Sequence, residues 1–224
     1  MFHWCLELRW GCWNCFVPDP FSENFCTGIK CNLNCVYCTS NKKQKTVYSK
    51  EHRINMALLY KKQMLYGDFK PVKMSFSGGG EPLLYIDIIS RYMRILVDIS
   101  ELTGHKPWYF LYTNGTLVNS KNLAQLKSLG FNEIRFHLGA SNFSKKVYAN
   151  LKKAIKYFKV VSVETPSWPL HRKKLIAMLP IINDMGVKHL NIGEVEVNEY
   201  NYKKISKIMP KAQIYQSYQM HLYD

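Results

Sequence analysis

The sequence has no cysteine after Cys38, although its 224 residues include seven cysteines. Thiols spread along an exported chain are typical of disulfide frameworks, whereas thiols crowded into one region are typical of metal sites in a reducing compartment. The first residues also lack the charged leader and apolar core of a signal peptide. These absences predict metal ligation in the cytoplasm.

Long apolar runs and acidic residues are also scarce. No stretch of about 18 uncharged apolar residues occurs, so no membrane span is expected. Lys and Arg number 31 against 16 Asp and Glu, which gives a formal charge of +15. This charge suits ordinary solvated helix faces, RNA, an acidic peptide or protein, or an anionic electron donor such as flavodoxin or ferredoxin. An apolar fraction of 47% predicts a folded domain.

Three cysteines lie close together in the segment Cys31-Asn32-Leu33-Asn34-Cys35-Val36-Tyr37-Cys38. Thiolate sulfur prefers Zn, Cu(I) or iron–sulfur centres. A structural zinc or a fully ligated cubane cluster needs four protein ligands, so three thiolates would leave one iron of a [4Fe–4S] cluster open. A zinc site that takes its fourth ligand from elsewhere is the alternative.

The other four cysteines, Cys5, Cys12, Cys15 and Cys26, lie in the aromatic-rich N-terminal region or directly after it. Cys12 and Cys15 have the spacing of a metal-ligand pair. Together the four thiols would suffice for an auxiliary iron–sulfur cluster or a structural zinc; the alternative is that they are small buried apolar residues. We divide the chain into an N-terminal Cys- and aromatic-rich extension (1–24) and a main domain (25–224).

Strand and helix patterns alternate about six times along the main domain, with short connections. Strands are predicted over 25–30, 72–77, 108–112, 133–138, 160–165 and 189–197, and helices over 49–67, 83–102, 120–130, 144–158, 171–185 and 199–209. Such alternation is typical of parallel β/α units. Six units make three-quarters of a (β/α)8 barrel, so we predict an α/β fold with a partial (β/α)6 TIM-like barrel.

Two segments at the carboxyl ends of predicted strands are suited to ligand binding. Gly78-Gly79-Gly80-Glu81-Pro82 follows the second strand, and backbone without Cβ can approach a ligand closely. Thr113-Asn114-Gly115 follows the third strand. Each segment could instead be an ordinary turn, since Pro82 suits the first position of a helix and Asn-Gly is a common turn pair.

The cysteine spacing, the aromatic Tyr37 before the third cysteine and the Gly-Gly-Glu-Pro segment resemble the radical S-adenosylmethionine (radical SAM) superfamily. The resemblance covers residues from about 25 to 197. It implies that Cys31, Cys35 and Cys38 hold a [4Fe–4S] cluster whose fourth iron is chelated by the amino and carboxylate groups of SAM. It also implies a partial (β/α)6 barrel, in agreement with the alternation.

The resemblance further implies how SAM is bound. The glycine segment would accept hydrogen bonds from the amino group of the methionine part, and the Asn of the third-strand turn would contact the ribose or the carboxylate. A serine just past the fourth strand would reach the carboxylate, and a glycine in the last strand would lie against the adenine. By this resemblance the residues expected to bind SAM are Tyr37 of the cysteine loop and the residues just described, Gly79, Gly80, Glu81, Asn114, Ser141 and Gly193.

Polar residues on the later strands could contact a substrate inside the barrel. Glu194 and Glu196 would share one face of the last strand by alternation, and both would point inward. Glu164 lies on the fifth strand and His137 on the fourth, where it could instead be a histidine satisfied within the barrel. A buried carboxylate must be paired or functional. No residue is nominated as a general base.

The resemblance implies an enzyme in which the reduced cluster gives one electron to SAM, so that a 5′-deoxyadenosyl radical abstracts a hydrogen atom from the substrate. Compact members include the activating enzymes of glycyl-radical enzymes, so a peptide or protein substrate is expected, either for activation or for peptide modification. Two alternatives are a radical SAM enzyme acting on tRNA or other RNA, and a non-enzymatic zinc- or cluster-containing nucleic-acid-binding protein. Fold alone does not specify the substrate.

Overall fold

The computed structural model of the chain describes residues 22–26, 28–40 and 72–212, together with the isolated residues 58, 62, 65 and 66. Six strands form one sheet in which every neighbouring pair is parallel and the strand order follows the chain. The strands are β1 (Ser22–Cys26), β2 (Lys73–Ser77), β3 (Trp108–Thr113), β4 (Glu133–Phe136), β5 (Val160–Pro166) and β6 (His189–Gly193). The predicted partial (β/α)6 barrel is confirmed.

Helices provide the crossovers that parallel strands require. They are α1 (Ile86–Thr103), α2 (Ser120–Ser128), α3 (Lys145–Tyr157), α4 (Arg172–Met185) and α5 (Tyr202–Ile208). Asn119 and Ser144 cap α2 and α3 by accepting a backbone N–H with their side chains. Gly104 and Gly186 end α1 and α4 in the left-handed conformation. No helix within the described ranges is long and apolar enough to cross a membrane.

The main core lies between the outer face of the sheet and the helices. Its largest strand side chains alternate along the sequence, as one buried face of a strand requires. They include Met74, Phe76, Tyr109, Leu111, Ile134, Phe136, Val161 and Val163. A second, smaller cluster of Tyr37, Trp168 and Ile205 joins the cysteine loop to the end of β5 and to α5. The opposite face of the strands carries polar residues and forms the barrel interior.

The last strand is shorter than expected. β6 ends at Gly193 instead of residue 197, so the expectation that Glu194 and Glu196 share one face of a strand is wrong. The physical reason is tertiary packing: Val195 and Val197 leave the sheet and pack against the second cluster. The side chain of Glu194 is exposed and that of Glu196 is half-buried.

The beginning of the chain also differs from expectation. β1 begins at Ser22 and ends at Cys26, whereas a strand over 25–30 was predicted. Beyond it, the carbonyl of Lys30 accepts from Glu81 N at 2.8 Å, which joins this segment to the turn after β2 instead of continuing the sheet. The helix predicted over 49–67 lies mostly outside the described residues. The N-terminal extension does too, apart from the start of β1, so the domain division stays a prediction.

Candidate active site

The cysteine loop follows β1, at the carboxyl edge of the sheet. Its three thiols, Cys31, Cys35 and Cys38, are partly exposed and none forms a disulfide. Cys38 N donates to Cys35 O at 3.2 Å, which closes a tight turn, and Leu33 N donates to Cys31 Sγ at 3.4 Å. Hydrogen bonds to sulfur are among the features that tune the potential of an iron–sulfur cluster. The loop therefore offers soft donors in suitable surroundings.

The thiols are not gathered around a common centre. Among the described residues, no three His, Cys, Asp or Glu side chains lie close enough together to hold a metal ion. The donor set nevertheless fits a cluster, because three thiols that form no disulfide share one short loop and are partly exposed. They would have to converge on the bound group. Cys35 Sγ, which now lies 3.7 Å from Ala140 O, would give up that contact.

The glycine segment after β2 packs directly on the residue that precedes the cysteine loop. A Cβ on Gly80 would lie 2.0 Å from the carbonyl oxygen of Lys30, and a Cβ on Gly79 would lie 3.0 Å from Ser40 Oγ. Only glycine permits such a close approach of two backbones. The need for glycine at Gly80 is thus explained by packing within the protein; its predicted contact with SAM stays a prediction.

Glu81 is a buried anchor with 1% of its surface exposed. Its carboxylate accepts from Thr113 Oγ1 at 2.7 Å, from Asn114 N at 2.7 Å and from Leu83 N at 3.2 Å. Burial raises the pKa of Glu81, and these three hydrogen bonds lower it in part. The carboxylate therefore joins the glycine segment to the turn after β3. Its predicted contact with the amino group of SAM is not tested by this geometry.

Asn114 continues the same chain of contacts to the cysteine loop. Its Nδ2 donates to Asn32 Oδ1 at 2.9 Å and lies 3.9 Å from Cys31 Sγ. Its Oδ1 accepts from Thr116 N at 3.0 Å, and Asn32 Nδ2 donates to Thr116 Oγ1 at 2.7 Å. The cysteine loop, the glycine segment and the third-strand turn are therefore interlocked. The predicted contact of Asn114 with the ribose or carboxylate remains a prediction.

Tyr37 and His137 meet on the other side of the cysteine loop. Tyr37 Oη lies 3.5 Å from His137 Nε2, and the Tyr37 ring packs against Trp168 and His171. Burial, then nearby His171, lowers the pKa of His137 to about 4. Burial, then the charges of Cys35 and Cys38, raises the pKa of Tyr37. Both rings are therefore neutral near pH 7.

The remaining predicted SAM contacts lie at the same edge of the sheet. Ser141 ends a 3-10 turn (Leu138–Ser141), and its Oγ donates to Leu138 O at 3.1 Å. A Cβ on Gly193 would meet no atom within 4 Å, so open space lies beside this residue. Cys5, Cys12 and Cys15 lie outside the described residues, and Cys26 is the last residue of β1. The possible auxiliary site therefore stays a prediction.

A charged network occupies the barrel interior. Arg135 Nε donates to Glu133 Oε1 at 2.7 Å, and its Nη1 lies 3.6 Å from Glu164 Oε2. The guanidinium also lies over the ring of Phe110, 4.0 Å from its centroid. Burial would raise the pKa of Glu133, but Arg135 and the surrounding hydrogen bonds lower it overall. Glu133 is therefore a paired structural carboxylate.

Glu164 is the more available of the two carboxylates. Its Oε2 accepts from Tyr112 Oη at 3.1 Å, and 23% of its side chain is exposed. Burial raises the pKa of Glu164, while Arg135 and the hydrogen bonds of Tyr112 and Asn191 oppose the rise. A half-buried carboxylate on the inner face of β5 could accept a hydrogen bond from a bound polar group. The predicted substrate role of Glu164 is consistent with this position but untested.

The sequence reasoning missed several residues of the site. His137 directly follows β4 instead of lying within it as predicted, because the chain turns at once into the 3-10 turn Leu138–Ser141. Arg135 is on the same face of β4 as Glu133, so period-two alternation could have placed it inside the barrel. Asn198 and Asn201 reach the cysteine loop from the turn before α5: Asn198 Nδ2 donates to Thr39 O at 2.9 Å and Asn201 Nδ2 to Tyr37 O at 3.1 Å. No local pattern signals contacts across so many residues.

The comparisons with known proteins agree with this geometry. The sequence model of the radical SAM superfamily matches residues 26–166. A Methanocaldococcus jannaschii protein, provisionally named a glycyl-radical enzyme activating enzyme, is 30% identical over 221 residues, which cover 93% of this chain and 56% of that protein. The chain thus spans little more than half of this relative.

Solved structures share the fold at low sequence identity. AnSMEcpe with bound AdoMet superposes with a TM-score of 0.63 at 18% identity, over 84% of this chain and 58% of that one. Streptococcus suis SuiB bound to precursor peptide SuiA gives 0.60 at 14% identity, over 79% of this chain and 40% of that one. The family uses a [4Fe–4S] cluster and SAM, and the family match extends over the cysteine loop, the glycine segment and the third-strand turn. The chain belongs to the radical SAM superfamily of enzymes.

Proposed function

We propose that this chain cleaves SAM reductively and acts on a peptide or protein, with Cys31, Cys35 and Cys38 as the cluster ligands. When bound, the cluster would supply the electron for reductive cleavage of SAM, and the 5′-deoxyadenosyl radical from that cleavage would abstract a hydrogen atom from the substrate. The observation that carries the proposal is the interlocking of the cysteine loop with the glycine segment and the third-strand turn, through Glu81 and Asn114.

The chain's own residues would hold and shield the site. Glu81 and Asn114 position the backbone next to Cys31, so that the loop keeps its shape while the thiols converge. His137 and Tyr37 are both neutral near pH 7, so they can share a hydrogen bond without adding charge beside the cysteine loop. Trp168 packs on Tyr37 and covers that side with apolar surface. Such covering helps to exclude water from a reactive intermediate.

The substrate class is supported by the relatives. The M. jannaschii relative is provisionally named as an enzyme that activates a glycyl-radical enzyme, and its named target is therefore a protein. Two solved neighbours contain peptides: SuiB with its precursor peptide, and anSMEcpe with the Cp18Cys peptide at 18% identity and a TM-score of 0.61. We assign Glu164 and His137 to substrate contact, because Glu164 carries a polar group on the inner face of β5 and His137 lies directly after the end of β4. A reduced flavodoxin or ferredoxin is the proposed electron donor.

Anaerobic reconstitution tests the core of the proposal. The reconstituted protein should be brown, hold at least about four irons per chain, and release 5′-deoxyadenosine from SAM when reduced with dithionite. The control is the triple variant Cys31→Ala, Cys35→Ala, Cys38→Ala, which should release none. A colourless zinc protein that leaves SAM intact would refute the proposal.

A second experiment tests the substrate class. Deuterium-labelled peptides and proteins are incubated with the reduced enzyme and SAM, and transfer of deuterium into 5′-deoxyadenosine is followed by mass spectrometry. The same assay is run with deuterated RNA. Transfer from a peptide or protein supports the proposal, whereas transfer from RNA alone would replace it with the RNA-modifying alternative.

A further inference from the structure

One side of the barrel surface has many cations and few carboxylates: among the described residues of α2, α3 and α4, the one exposed carboxylate is that of Asp184, near the end of α4. Between residues 115 and 183 the only acidic residues are Glu133 and Glu164, and both are paired with Arg135 inside the barrel. The same stretch contains eleven other Lys and Arg residues, and every one of them is exposed. These eleven residues lie on α2, on α3, on α4 and in their connections. We call this outer surface the basic face.

The charges of the basic face are not neutralised by the part of the protein that the structure describes. Within that part, both ion pairs involve Arg135, and none involves a residue of the basic face. Lys174 Nζ donates to Asn142 Oδ1 at 2.6 Å, and Lys127 lies over the ring of Phe158; neither partner carries a charge. An accumulation of one charge repels itself and favours a polyanionic partner.

The neighbouring surfaces differ in charge pattern. The outer side of α1 mixes Arg91 and Arg94 with Asp87, Asp98 and Glu101. The segment that follows β6 carries three carboxylates, Glu194, Glu196 and Glu199, together with the four lysines on and after α5. Among the described residues, most of the excess positive charge therefore lies on the helices after β3, β4 and β5 and in their connections. Charge needed only for solubility would not require carboxylates to be so few on one side.

The basic face begins at the mouth of the barrel. α3 opens with Lys145 and Lys146, and α4 opens with Arg172, Lys173 and Lys174, so these cations lie at helix N-termini, next to the carboxyl ends of the strands. A helix N-terminus favours anionic side chains and disfavours cations. Two consecutive helices that place cations there act against local stability, which is understandable if the cations serve an external anion.

The apolar residues beside these cations favour a protein over a nucleic acid. Leu170, Ile176 and Ile181 are exposed by 60%, 58% and 39%, and they lie on α4 or directly before it. Ten of the eleven cations are Lys and one is Arg. Nucleic-acid surfaces commonly add Arg and exposed aromatic rings for base stacking, whereas the exposed apolar side chains here are aliphatic. Aliphatic groups among lysines suit an acidic, amphipathic polypeptide.

We propose that the basic face docks an acidic segment of the peptide or protein substrate, with its apolar residues on α4, and so delivers the reacting residue to the barrel mouth. This inference rests on the proposed function for its substrate class. The path is short: α4 follows the turn Pro169–His171, which adjoins Trp168, and Trp168 packs on Tyr37 of the cysteine loop. A segment bound along α4 would therefore end beside the candidate site.

The test uses the full chain and a fluorescein-labelled peptide rich in Glu and Leu. Its affinity is measured by anisotropy for the wild type and for the variant Lys145→Glu, Lys146→Glu, Lys152→Glu, Lys173→Glu. We expect the variant to bind at least about tenfold more weakly at low salt, with a smaller dependence on salt concentration. The matched control carries Lys203→Glu, Lys204→Glu, Lys207→Glu and Lys211→Glu, which changes the net charge equally on and after α5. It should bind nearly as well as the wild type.

Three outcomes would overturn the proposal: equal loss of affinity in both variants, unchanged affinity in the first variant, or tighter binding of poly(U) RNA than of the peptide at the same ionic strength. Ile176→Ser adds an apolar test: it should weaken binding of the Glu-Leu peptide and leave binding of a Glu-Ser peptide unchanged. If Ile176→Ser affected the binding of both peptides equally, the apolar side chains of α4 would not contact the docked segment. Circular dichroism checks that each variant is folded.

The failure of docking and the failure of the proposed function are separable. Both charge-reversal variants retain the cysteine loop, so each should release 5′-deoxyadenosine from SAM at the wild-type rate when reduced with dithionite. Dithionite also removes any effect of the basic face on a protein electron donor. A protein that binds the acidic peptide but does not cleave SAM would refute the proposed function without contradicting the docking role of the basic face.

Discussion

The side-chain amide of Asn201, which has no exposed surface, donates to the backbone carbonyl of Tyr37 over 3.1 Å. The same nitrogen donates to Glu196 O at 2.9 Å, and Asn198 Nδ2 donates to Thr39 O at the same distance. The two residues of the first pair are 164 positions apart in the sequence. The last β/α unit of the described fold therefore clamps the loop that belongs to the first.

Replacing Asn201 should loosen the cysteine loop. Asn201→Ala leaves the carbonyls of Tyr37 and Glu196 without this donor in a buried place, so we expect the free energy of unfolding to fall by about 1–3 kcal/mol. A looser loop should also retain less iron and alter the EPR spectrum of the reduced cluster. Urea unfolding, iron assay and EPR measure the three effects.

The control for that substitution is Asn183→Ala. Asn183 is an exposed asparagine of α4 whose amide donates only to the neighbouring Asp184 among the contacts of the described residues. Stability, iron content and spectrum should stay as in the wild type. If Asn201→Ala lost stability but kept the full iron content and an unchanged spectrum, its role would be confined to the fold.

Substitution by alanine should lower stability at one glycine of the barrel mouth and leave it unchanged at another. A Cβ on Gly80 would lie 2.0 Å from Lys30 O, so Gly80→Ala must displace backbone; we expect a loss of about 1–3 kcal/mol from overpacking, together with loss of iron. Gly193→Ala should leave thermal stability unchanged, because no atom lies within 4 Å of the added methyl group. Scanning fluorimetry measures both.

Gly193→Ala then reports on SAM itself. A weaker affinity for SAM at unchanged stability would support adenine packing at Gly193. Unchanged affinity would remove Gly193 from the cofactor site.

Much of the fold could be predicted because β/α units leave local signals. Buried parallel strands such as β5 read as short apolar runs, and glycines such as Gly104 and Gly186 mark helix ends. The end of β6 could not be predicted in this way. Alternation of Glu194 and Glu196 with two valines indicated a strand, but those valines pack against the cluster of Tyr37 and Trp168, which local alternation does not indicate.

The partners of the site residues could be predicted less well than the residues themselves. The motif around Glu81 indicated a functional turn, yet its bonds to Thr113 and Asn114 depend on how β2 and β3 lie side by side. Arg135 and Glu164 meet only because β4 and β5 pair with Arg135 opposite Ser162. Register between strands is a long-range property that residue types along one segment do not encode.

The N-terminal thiols can be tested by counting iron. If Cys5, Cys12, Cys15 and Cys26 hold an auxiliary cluster, the double variant Cys12→Ala, Cys15→Ala should lose about four irons per chain relative to the wild type. The triple variant of Cys31, Cys35 and Cys38 serves as the reference, because it should keep only the auxiliary iron. An unchanged iron count in the double variant would support the alternative that these cysteines are small apolar residues that bind no cluster.

The charged network inside the barrel should behave as a coupled unit. Arg135→Met leaves the buried carboxylate of Glu133 without its guanidinium, so we expect a loss of about 3–5 kcal/mol. Adding Glu133→Gln removes the uncompensated charge and should restore part of the stability. Urea unfolding of the single and double variants gives the coupling energy. Additive effects would show that the pair contributes little beyond its separate contacts.

His137 should make stability depend on pH below neutrality. Its pKa is lowered to about 4 by burial and by His171, whereas an unperturbed histidine has a pKa of about 6.5. Between these values the unfolded chain binds the proton and the folded chain does not, so the free energy of unfolding falls as the pH drops from about 6.5 towards about 4, and this group has no effect above that window.

The substitution His137→Gln should remove that contribution. In urea titrations of the cluster-free protein, the wild type should lose on the order of 1–2 kcal/mol more than the variant between neutral pH and the lower end of the window, an amount reduced to allow for partial exposure of the ring. Asn183→Ala, at an exposed position on α4, is the control and should follow the wild-type curve. A constant difference between the wild type and His137→Gln across the whole range would mean that His137 binds its proton equally in the folded and unfolded chains, and that its contact with Tyr37 contributes through packing alone.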